Sequence, residues 1–155
     1  MNSKIRISHH RQYPLADLEE VLYPLFQKYY TNDDLRVTIE SANHVWCAYE
    51  NDECIGCVLI TDIGSNHGLY MILFGVKQCE QGRGIGGSLL TSIIKWSRQN
   101  HHTFIYLHTE LENQNAIRFY EKMGFEKYDC QSNSNDDLPQ CGSNVLPMML
   151  VISNS

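Results

Sequence analysis

The most informative segment of this chain is Gln81-Gly82-Arg83-Gly84-Ile85-Gly86-Gly87. An apolar run typical of a strand, 69–76, precedes it, and a run with helical periodicity, 85–99, follows it. A strand, a glycine-rich turn and a helix start together form an anion site, because the first N–H groups of a helix lack partners within it. The helix macrodipole adds positive charge at the same place. The stretch therefore predicts a phosphate-binding loop.

Two familiar nucleotide motifs fit this loop poorly. A P-loop ends in Gly-Lys-Ser/Thr, whereas Gly86-Gly87-Ser88 contains no lysine. Gly82, Gly84 and Gly87 satisfy the dinucleotide fingerprint, and Glu110 lies where a ribose-binding acid is expected. However, the loop lies past the middle of the chain, and only one strand–helix–strand unit follows it. The remaining chain is therefore too short to form a doubly wound sheet.

A third interpretation agrees with more of the chain. Gln81-x-x-Gly84-x-Gly86 resembles the coenzyme A loop, Q/R-x-x-G-x-G/A, of the GNAT superfamily of N-acetyltransferases. A strand at 104–109, a turn at 113–115 and a helix that closes on Tyr120-Glu-Lys-Met-Gly-Phe125 resemble the C-terminal signature of that superfamily. The resemblance implies an α/β fold with mostly antiparallel N-terminal strands, a parallel and splayed central pair of strands, and flanking helices.

Composition indicates one ordinary domain, which we expect to span residues 1–155. A chain of this length buries about two thirds of its extended surface, so one core is enough. The formal net charge is −6 and the basic residues form no stripe, which argues against a nucleic-acid partner. No apolar run approaches a membrane span and no signal peptide is recognisable, so we expect a cytoplasmic or nuclear protein without a membrane partner.

Cysteine and histidine patterns predict no metal site. Cys54-Ile-Gly-Cys57 has C-x-x-C spacing, but it lies in a strand-like run without a second pair at zinc spacing. We expect the six cysteines to stay reduced, because a domain with a full apolar core needs no disulfides. The doublets His9-His10 and His101-His102 fall in predicted connections, where we expect them on the solvated surface.

Periodicity and turn residues predict the other elements. A helix that opens at Pro14 should break or kink near Pro24, because proline removes a helical hydrogen bond and clashes with the preceding turn. Asp33-Asp34 should cap a second helix through about Glu40. Asn51-Asp52 is a plausible hairpin turn, and residues 130–143 form a long polar loop. The predicted strands are 4–8, 44–50, 54–62, 68–76, 104–109 and 144–152.

The resemblance implies that acetyl-CoA is the cosubstrate and that no metal takes part. The main chain of Phe74, Gly75 and Val76 would pair with the pantetheine, and a backbone N–H there would meet the oxyanion. Asn113 would hydrogen-bond the pantetheine, whereas Asn115 would cap the following helix. The other residues expected at the cofactor are Gln81, Gly82, Arg83, Gly84, Ile85, Gly86, Gly87 and Tyr120.

Within the superfamily, Leu69-Tyr70-Met71 together with Tyr106-Leu107-His108 looks most like the San-type N-α-acetyltransferases, which acetylate protein N-termini beginning with methionine. Their paired tyrosine and histidine base falls on Tyr70 and His108. The residue that protonates the departing sulfur falls on Tyr120. Each of these three residues also has a plain alternative, as a packed or hydrogen-bonded residue of the core.

The predicted function is transfer of an acetyl group from acetyl-CoA to a primary amine by direct attack, with general base and general acid assistance. The preferred acceptor is the α-amine of a protein or peptide N-terminus, because far more of it is neutral at pH 7 than of a lysine side chain. Tyr23-Pro24-Leu25 resembles the apolar loop with which San-type enzymes grip the first residue, and Tyr70 would border the same acceptor.

Two alternatives and one further partner stay open. The San-type tyrosine pair before the last strand has no counterpart in residues 130–143, which contain no aromatic residue. A small-molecule, polyamine-like amine therefore remains an alternative acceptor. A weaker alternative is a non-catalytic CoA-binding module, and the resemblance also allows a partner subunit.

Overall fold

A computed structural model describes residues 4–10, 12–64, 66–129, 138–139 and 142–152. These residues form seven strands and four α-helices, and a 3-10 turn at Gln78–Glu80 precedes α3. The helices are α1 Leu15–Phe26, α2 Asn32–Glu40, α3 Ile85–Gln99 and α4 Gln114–Lys122. The strands are β1 Ile5–His10, β2 His44–Glu50, β3 Glu53–Ile63, β4 Gly68–Val76, β5 Phe104–Glu110, β6 Glu126–Lys127 and β7 Val145–Val151. The predicted mixed α/β fold is confirmed.

The chain groups into two compact units. The first comprises Met1–Thr61 and Ile72–Ile93, and the second comprises Asp62–Met71 and Ile94–Ser155. The expectation of a single domain over 1–155 stays a prediction, as does the cytoplasmic or nuclear location. Over the ranges that the structure describes, no helix is both long and apolar enough to cross a membrane.

In the first unit, β1, β2 and β3 form an antiparallel ladder. The register pairs Ile5 of β1 with Glu50 of β2, and His44 of β2 with Ile60 of β3. The hairpin between β2 and β3 turns at Asn51 and Asp52, whose φ values of 51° and 66° lie in the left-handed region. Two consecutive residues of that kind are typical of a type I′ turn, so the predicted hairpin is confirmed.

The core of the first unit lies between this ladder and the helices α1 and α2. Leu18 and Leu22 of α1 and Ile39 of α2 are completely buried, at positions that fall on the inner face of each helix. Burial of each such side chain stabilises the fold by roughly 1.5–3 kcal/mol. The residues from the strands that complete this cluster are Val45, Cys47, Tyr49, Cys54, Cys57, Leu59 and Leu73.

In the second unit, β5 lies between a parallel and an antiparallel neighbour. The parallel register pairs Gly68–Met71 of β4 with residues 104–107 of β5. On its other side β5 pairs with β7 over its full length, from Phe104 with Val151 to Glu110 with Val145. The short strand β6 pairs with β7 at Met149 and Met148. This unit therefore supplies the parallel pair that the sequence analysis predicted.

Helix α1 continues through Pro24, so the predicted break there is wrong. The helix runs on to Phe26, and the Gln27 N–H still donates to the Tyr23 carbonyl at 2.9 Å, which closes a last turn after the proline. The cap of α2 also differs from the prediction. The Thr31 hydroxyl accepts from the Asp34 N–H at 3.1 Å, which leaves the two aspartates in the first turn, where the helix dipole favours negative charge.

Of the two histidine doublets, His101-His102 lies in the predicted connection, with His101 exposed, whereas His9-His10 does not. His9 and His10 belong to β1, which extends two residues beyond its predicted end. The His9 ring stacks on Trp46 with centroids 4.2 Å apart, and Nε2 of His10 lies 3.1 Å from the Tyr49 hydroxyl. His102 packs against a second tryptophan, Trp96, at 4.9 Å. Strand extension and aromatic packing therefore remove most of these rings from bulk water.

Candidate active site

The glycine-rich loop between β4 and α3 has the backbone conformation that an anion site needs. Gly82 and Gly84 have φ values of 88° and 78°, which residues with side chains rarely adopt. A Cβ added at either position would meet no atom within 4 Å, so the space beside the loop is open. The first hydrogen bond of α3 runs from the Ser88 N–H to the Gly84 carbonyl at 3.0 Å. The N–H groups of residues 85–87 thus have no acceptor within the helix and can bind an anion.

The polar side chains of this loop are engaged within the first unit. The Arg83 guanidinium donates to the two oxygens of Glu50 at 3.0 and 2.6 Å, and also to Glu80. Hydrogen bonds to these carboxylates raise the pKa of Arg83 above its usual range, so the group stays cationic. Gln81 donates from Nε2 to the Val76 carbonyl at 3.0 Å. Both side chains tie the loop to strands, which leaves the backbone N–H groups to meet a phosphate.

The end of β4, where the main chain is predicted to pair with pantetheine, lies directly against α1. A Cβ at Gly75 would come within 2.8 Å of Leu25 Cδ1 and 3.2 Å of Leu22 Cδ2. Only glycine therefore permits α1 to approach β4 so closely at this point. Phe74 is half-buried and Val76 is buried. Their predicted contacts with the cofactor stay predictions.

The predicted acceptor-binding residues Tyr23, Pro24 and Leu25 form the last turn of α1 and not a loop. Leu25 is directed at Gly75 of β4. Tyr23 lines a shallow cavity of about 500 Å³ on the same helix. Tyr23 and Leu25 also pack against the core of the first unit. Acceptor binding by Tyr23, Pro24 and Leu25 stays a prediction.

In the second unit, β4 and β5 hold three polar aromatic side chains side by side. Tyr70 and Tyr106 are register partners, and His108 follows Tyr106 by two residues on the same face of β5. The Tyr70 hydroxyl lies 3.3 Å from Nδ1 of His108, and the Tyr106 hydroxyl lies 3.0 Å from Nε2. The structure thus brings the predicted pair Tyr70 and His108 together. It adds Tyr106, to which the sequence analysis gave no role although the two-residue spacing was visible.

Burial sets the protonation states of this group. His108 is half-buried, and desolvation lowers the pKa of its imidazole below the ordinary histidine value. Tyr106 is completely buried, and burial together with the nearby Tyr70 and Tyr128 raises its pKa to about 12. At neutral pH the imidazole is therefore uncharged and the Tyr106 phenol is protonated. An uncharged imidazole in this position can accept a proton.

Tyr120, the predicted acid, is buried on α4. Its ring contacts Phe119 and Phe125, with centroids 5.4 and 5.6 Å away. Burial raises the pKa of Tyr120 to about 12, so its hydroxyl carries a proton at neutral pH. A protonated phenol can supply that proton to a leaving thiolate. The assignment of this role to Tyr120 stays a prediction.

Asn113 and not Asn115 caps α4. The Asn113 side chain accepts from the Ala116 N–H at 3.1 Å, whereas Asn115 accepts from Arg118 at 2.8 Å. The predicted cap at Asn115 is wrong because the helix begins one residue before it, at Gln114. The side-chain oxygen of Asn113 already accepts the hydrogen bond that caps α4. The contact of Asn113 with pantetheine stays a prediction.

The cysteines of β2 and β3 are part of the core. Cys47, Cys54 and Cys57 are buried and free. Burial raises the pKa of Cys57, and the neighbouring Cys54 thiol and burial raise that of Cys47, so both remain thiols at neutral pH. In the described ranges, no three or more His, Cys, Asp or Glu side chains are placed to hold a metal ion. Cys79 is free and exposed, and the polar loop at 130–143, which contains Cys130 and Cys141, lies mostly outside those ranges.

Sequence comparison relates the chain to known acetyltransferases. Residues 5–125 match the model of the acetyltransferase (GNAT) family. The chain is similar to N-alpha-acetyltransferase 50 of Danio rerio, with 26% identity over 148 residues, which cover 93% of this chain and 86% of the relative. Probable N-acetyltransferase san of Drosophila melanogaster is also 26% identical over 148 residues, covering 93% of this chain and 78% of that protein.

Two solved structures show the same fold. A GNAT-family acetyltransferase from Staphylococcus aureus has a TM-score of 0.82 at 17% identity, covering 97% of this chain and all 100% of the other. A GNAT-family acetyltransferase from Elizabethkingia anophelis, solved with acetyl-CoA bound, has a TM-score of 0.68 at 19% identity. The match covers 95% of this chain and 97% of that structure.

Proposed function

Because this chain belongs to the acetyltransferase (GNAT) family, we propose that it acetylates the α-amine of a protein or peptide N-terminus. The chain is an acetyl-CoA-dependent N-acetyltransferase. The choice of acceptor is the proposed part. It is supported by the similarity over 93% of the chain to a protein named N-alpha-acetyltransferase 50, at 26% identity.

The observation that carries the proposal is the hydrogen bond between Tyr70 and His108. Its length is 3.3 Å, from the phenol oxygen to Nδ1. A base that is itself uncharged can take a proton from an ammonium group before the nitrogen attacks. In the proposed path, the acceptor ammonium gives its proton to the Tyr70 oxygen, and Tyr70 passes its own proton to Nδ1. Charge then rests on the imidazole and the amine is left neutral.

The glycine loop suits the phosphates of acetyl-CoA. Gly82 and Gly84 leave open space where a Cβ would stand, and the start of α3 offers the N–H groups of residues 85–87. We assign pyrophosphate binding to the backbone of residues 81–87 and the pantetheine contact to the main chain of residues 74–76. When bound, acetyl-CoA supplies the acetyl thioester. Tyr120 is assigned as the residue that holds the proton needed by the departing sulfur.

An α-amine suits this base better than a lysine side chain does. An α-amine has an unperturbed pKa near 8 and a lysine amine one near 10.4, so roughly a tenth of α-amines and well under a thousandth of lysines are neutral at pH 7. Burial lowers the pKa of His108, which makes it a weaker base than an ordinary histidine. Such a base can complete the deprotonation of an α-ammonium but is poorly matched to a lysine.

A panel of acceptors tests the proposal. We expect kcat/KM for a peptide beginning Met-Leu to exceed that for spermidine and for the same peptide with a blocked N-terminus and an internal lysine. Tyr70→Phe and His108→Gln should each lower kcat about 10²-fold, which is the usual scale for a proton-transfer group. As a matched control, Tyr13→Phe removes an exposed hydroxyl that donates to the Glu40 carbonyl and should leave kcat unchanged.

One observation favours a second candidate, the acetylation of small amines. Residues 130–143 contain no aromatic residue, so the chain has no tyrosine pair in that loop to wall a peptide. The panel separates the two candidates. A clear preference for spermidine, with the same loss in the two variants, would replace the N-terminal acceptor by a polyamine. No turnover of any acceptor, with acetyl-CoA still bound, would leave only a binding module.

A further inference from the structure

His108 is hydrogen-bonded at both ring nitrogens, and the proposed proton path uses only one of them. Nδ1 faces the Tyr70 hydroxyl at 3.3 Å, and Nε2 faces the Tyr106 hydroxyl at 3.0 Å. The ring of Tyr106 also contacts the His108 ring edge-on, with centroids 5.1 Å apart. Tyr106 therefore touches the predicted base at the nitrogen that lies away from Tyr70.

The two contacts cannot be chemically equivalent. A neutral imidazole has one N–H donor and one acceptor nitrogen. His108 can take a proton from Tyr70 only while Nδ1 is the acceptor, and the ring hydrogen must then be on Nε2. A half-buried N–H at that position needs an acceptor, because a buried donor without one is costly. The Tyr106 oxygen, 3.0 Å away, is placed to accept it.

Tyr106 is held in this position by its surroundings. Its side chain is completely buried, and the ring of Tyr128 packs edge-on against it at 5.7 Å. On β5 its register partners are Tyr70 of β4 and Met149 of β7, so strands flank it on both sides. Burial raises the pKa of Tyr106 to about 12, so the group at Nε2 is a neutral phenol, whose oxygen keeps lone pairs that can accept from the Nε2–H.

We propose that Tyr106 is a positioning residue that holds His108 as the Nε2–H tautomer, so that Nδ1 faces Tyr70 as a proton acceptor. The geometry is that of a base oriented by a third group, here a phenol in place of a carboxylate. The inference rests on the proposed function, because the tautomer matters only if Tyr70 and His108 move a proton together. The tautomer itself can be measured without any acceptor.

Nitrogen NMR of ¹⁵N-histidine-labelled protein measures the tautomer directly. The signals of His108 are identified by their absence in His108→Gln, at a pH above the imidazole pKa. The wild-type protein should contain mainly the Nε2–H form. In Tyr106→Phe the ratio of Nε2–H to Nδ1–H should fall about fivefold, the change expected when a hydrogen bond of ordinary net strength is lost.

Tyr49→Phe is the matched control. Tyr49 is also a buried tyrosine whose hydroxyl lies 3.1 Å from Nε2 of a histidine, His10 on β1. Its removal should leave the His108 tautomer ratio and kcat unchanged. The proposal is overturned if wild-type His108 is mainly the Nδ1–H form, a result that needs no folded variant. An unchanged ratio in a folded Tyr106→Phe protein would overturn it as well.

Kinetics distinguish this role from simple packing. Tyr106→Phe should lower kcat by up to about fivefold, because the share of the proton-accepting tautomer cannot fall by more than the tautomer ratio, while the KM for acetyl-CoA stays the same. A fall in melting temperature with an unchanged tautomer ratio and kcat would reduce Tyr106 to a packing residue. The proposed function can fail separately, because a preference for spermidine would change the acceptor while the predicted tautomer ratios would still support the role of Tyr106.

Discussion

At the scale of single residues, the protonation of His108 controls the proposed chemistry. The imidazole is half-buried, and desolvation disfavours its charged form. The Tyr106 hydroxyl at Nε2 stays protonated at neutral pH, because burial raises its pKa to about 12, and it offers the imidazole no opposite charge. His108 is therefore ready to accept a proton over the whole neutral range.

This lowered pKa gives a testable pH dependence. The protonated form of His108 cannot act as a base, so kcat should rise with pH through the imidazole pKa and then level off. Because burial lowers that pKa, the midpoint should lie below the ordinary histidine value of about 6.5. The measurement is kcat against pH with a saturating Met-Leu peptide. A midpoint above that value, or the same acid limb in His108→Gln, would assign the titration to another group.

Among the elements, the turn from β4 into α3 is the predicted anion site. Gly82 and Gly84 adopt left-handed φ values, and residues 85–87 present their N–H groups at the helix start. Arg83 and Gln81 anchor the turn through Glu50, Glu80 and the Val76 carbonyl. The loop is thus held in shape by its own side chains, and its backbone N–H groups are the ones predicted to bind the phosphates.

Gly84→Ala tests the loop. Alanine at a φ of 78° should cost about 1 kcal/mol of stability, or roughly 2–4 °C in Tm for a chain of this size. It should also raise the KM for acetyl-CoA about tenfold, because the backbone N–H groups are displaced from the phosphates. Gly64, with a φ of 70° in another turn, is the matched control. Gly64→Ala should lose a similar amount of stability while its KM for acetyl-CoA stays unchanged. If the two variants have the same KM for acetyl-CoA, the loop does not bind the cofactor.

Local signals predicted most of the elements. Alternation and helical periodicity gave β2, β4, β5 and α3 close to their observed bounds, and Asn51-Asp52 marked the hairpin. The wrong or missed elements are those in which a local sequence preference did not decide the structure. Pro24 removes a single hydrogen bond late in α1, too late to prevent the final turn. Strand β6, two residues long, exists only through its pairing with β7, and no local pattern could reveal it.

Across the whole molecule, how well each part of the site could be predicted depends on the sequence distance between the residues that form it. The glycine loop is local, so its spacing alone predicted it. The contact of Tyr70 with His108 spans 38 residues and depends on the parallel register of β4 with β5. That pair was identified through the family resemblance. The role of Tyr106 needed the observed hydrogen bond to Nε2, because a buried tyrosine on a strand is by itself an ordinary core residue.

The position of the acetyl group on a substrate with two amines shows whether the α-amine is the acceptor. A peptide beginning Met-Leu and containing one internal lysine is incubated with the protein and acetyl-CoA, and the modified amine is located by tandem mass spectrometry. Because the α-amine is neutral far more often than the lysine at pH 7, we predict at least about tenfold more acetyl on the N-terminus. Equal or greater acetylation of the lysine would show that the α-amine is not the preferred acceptor.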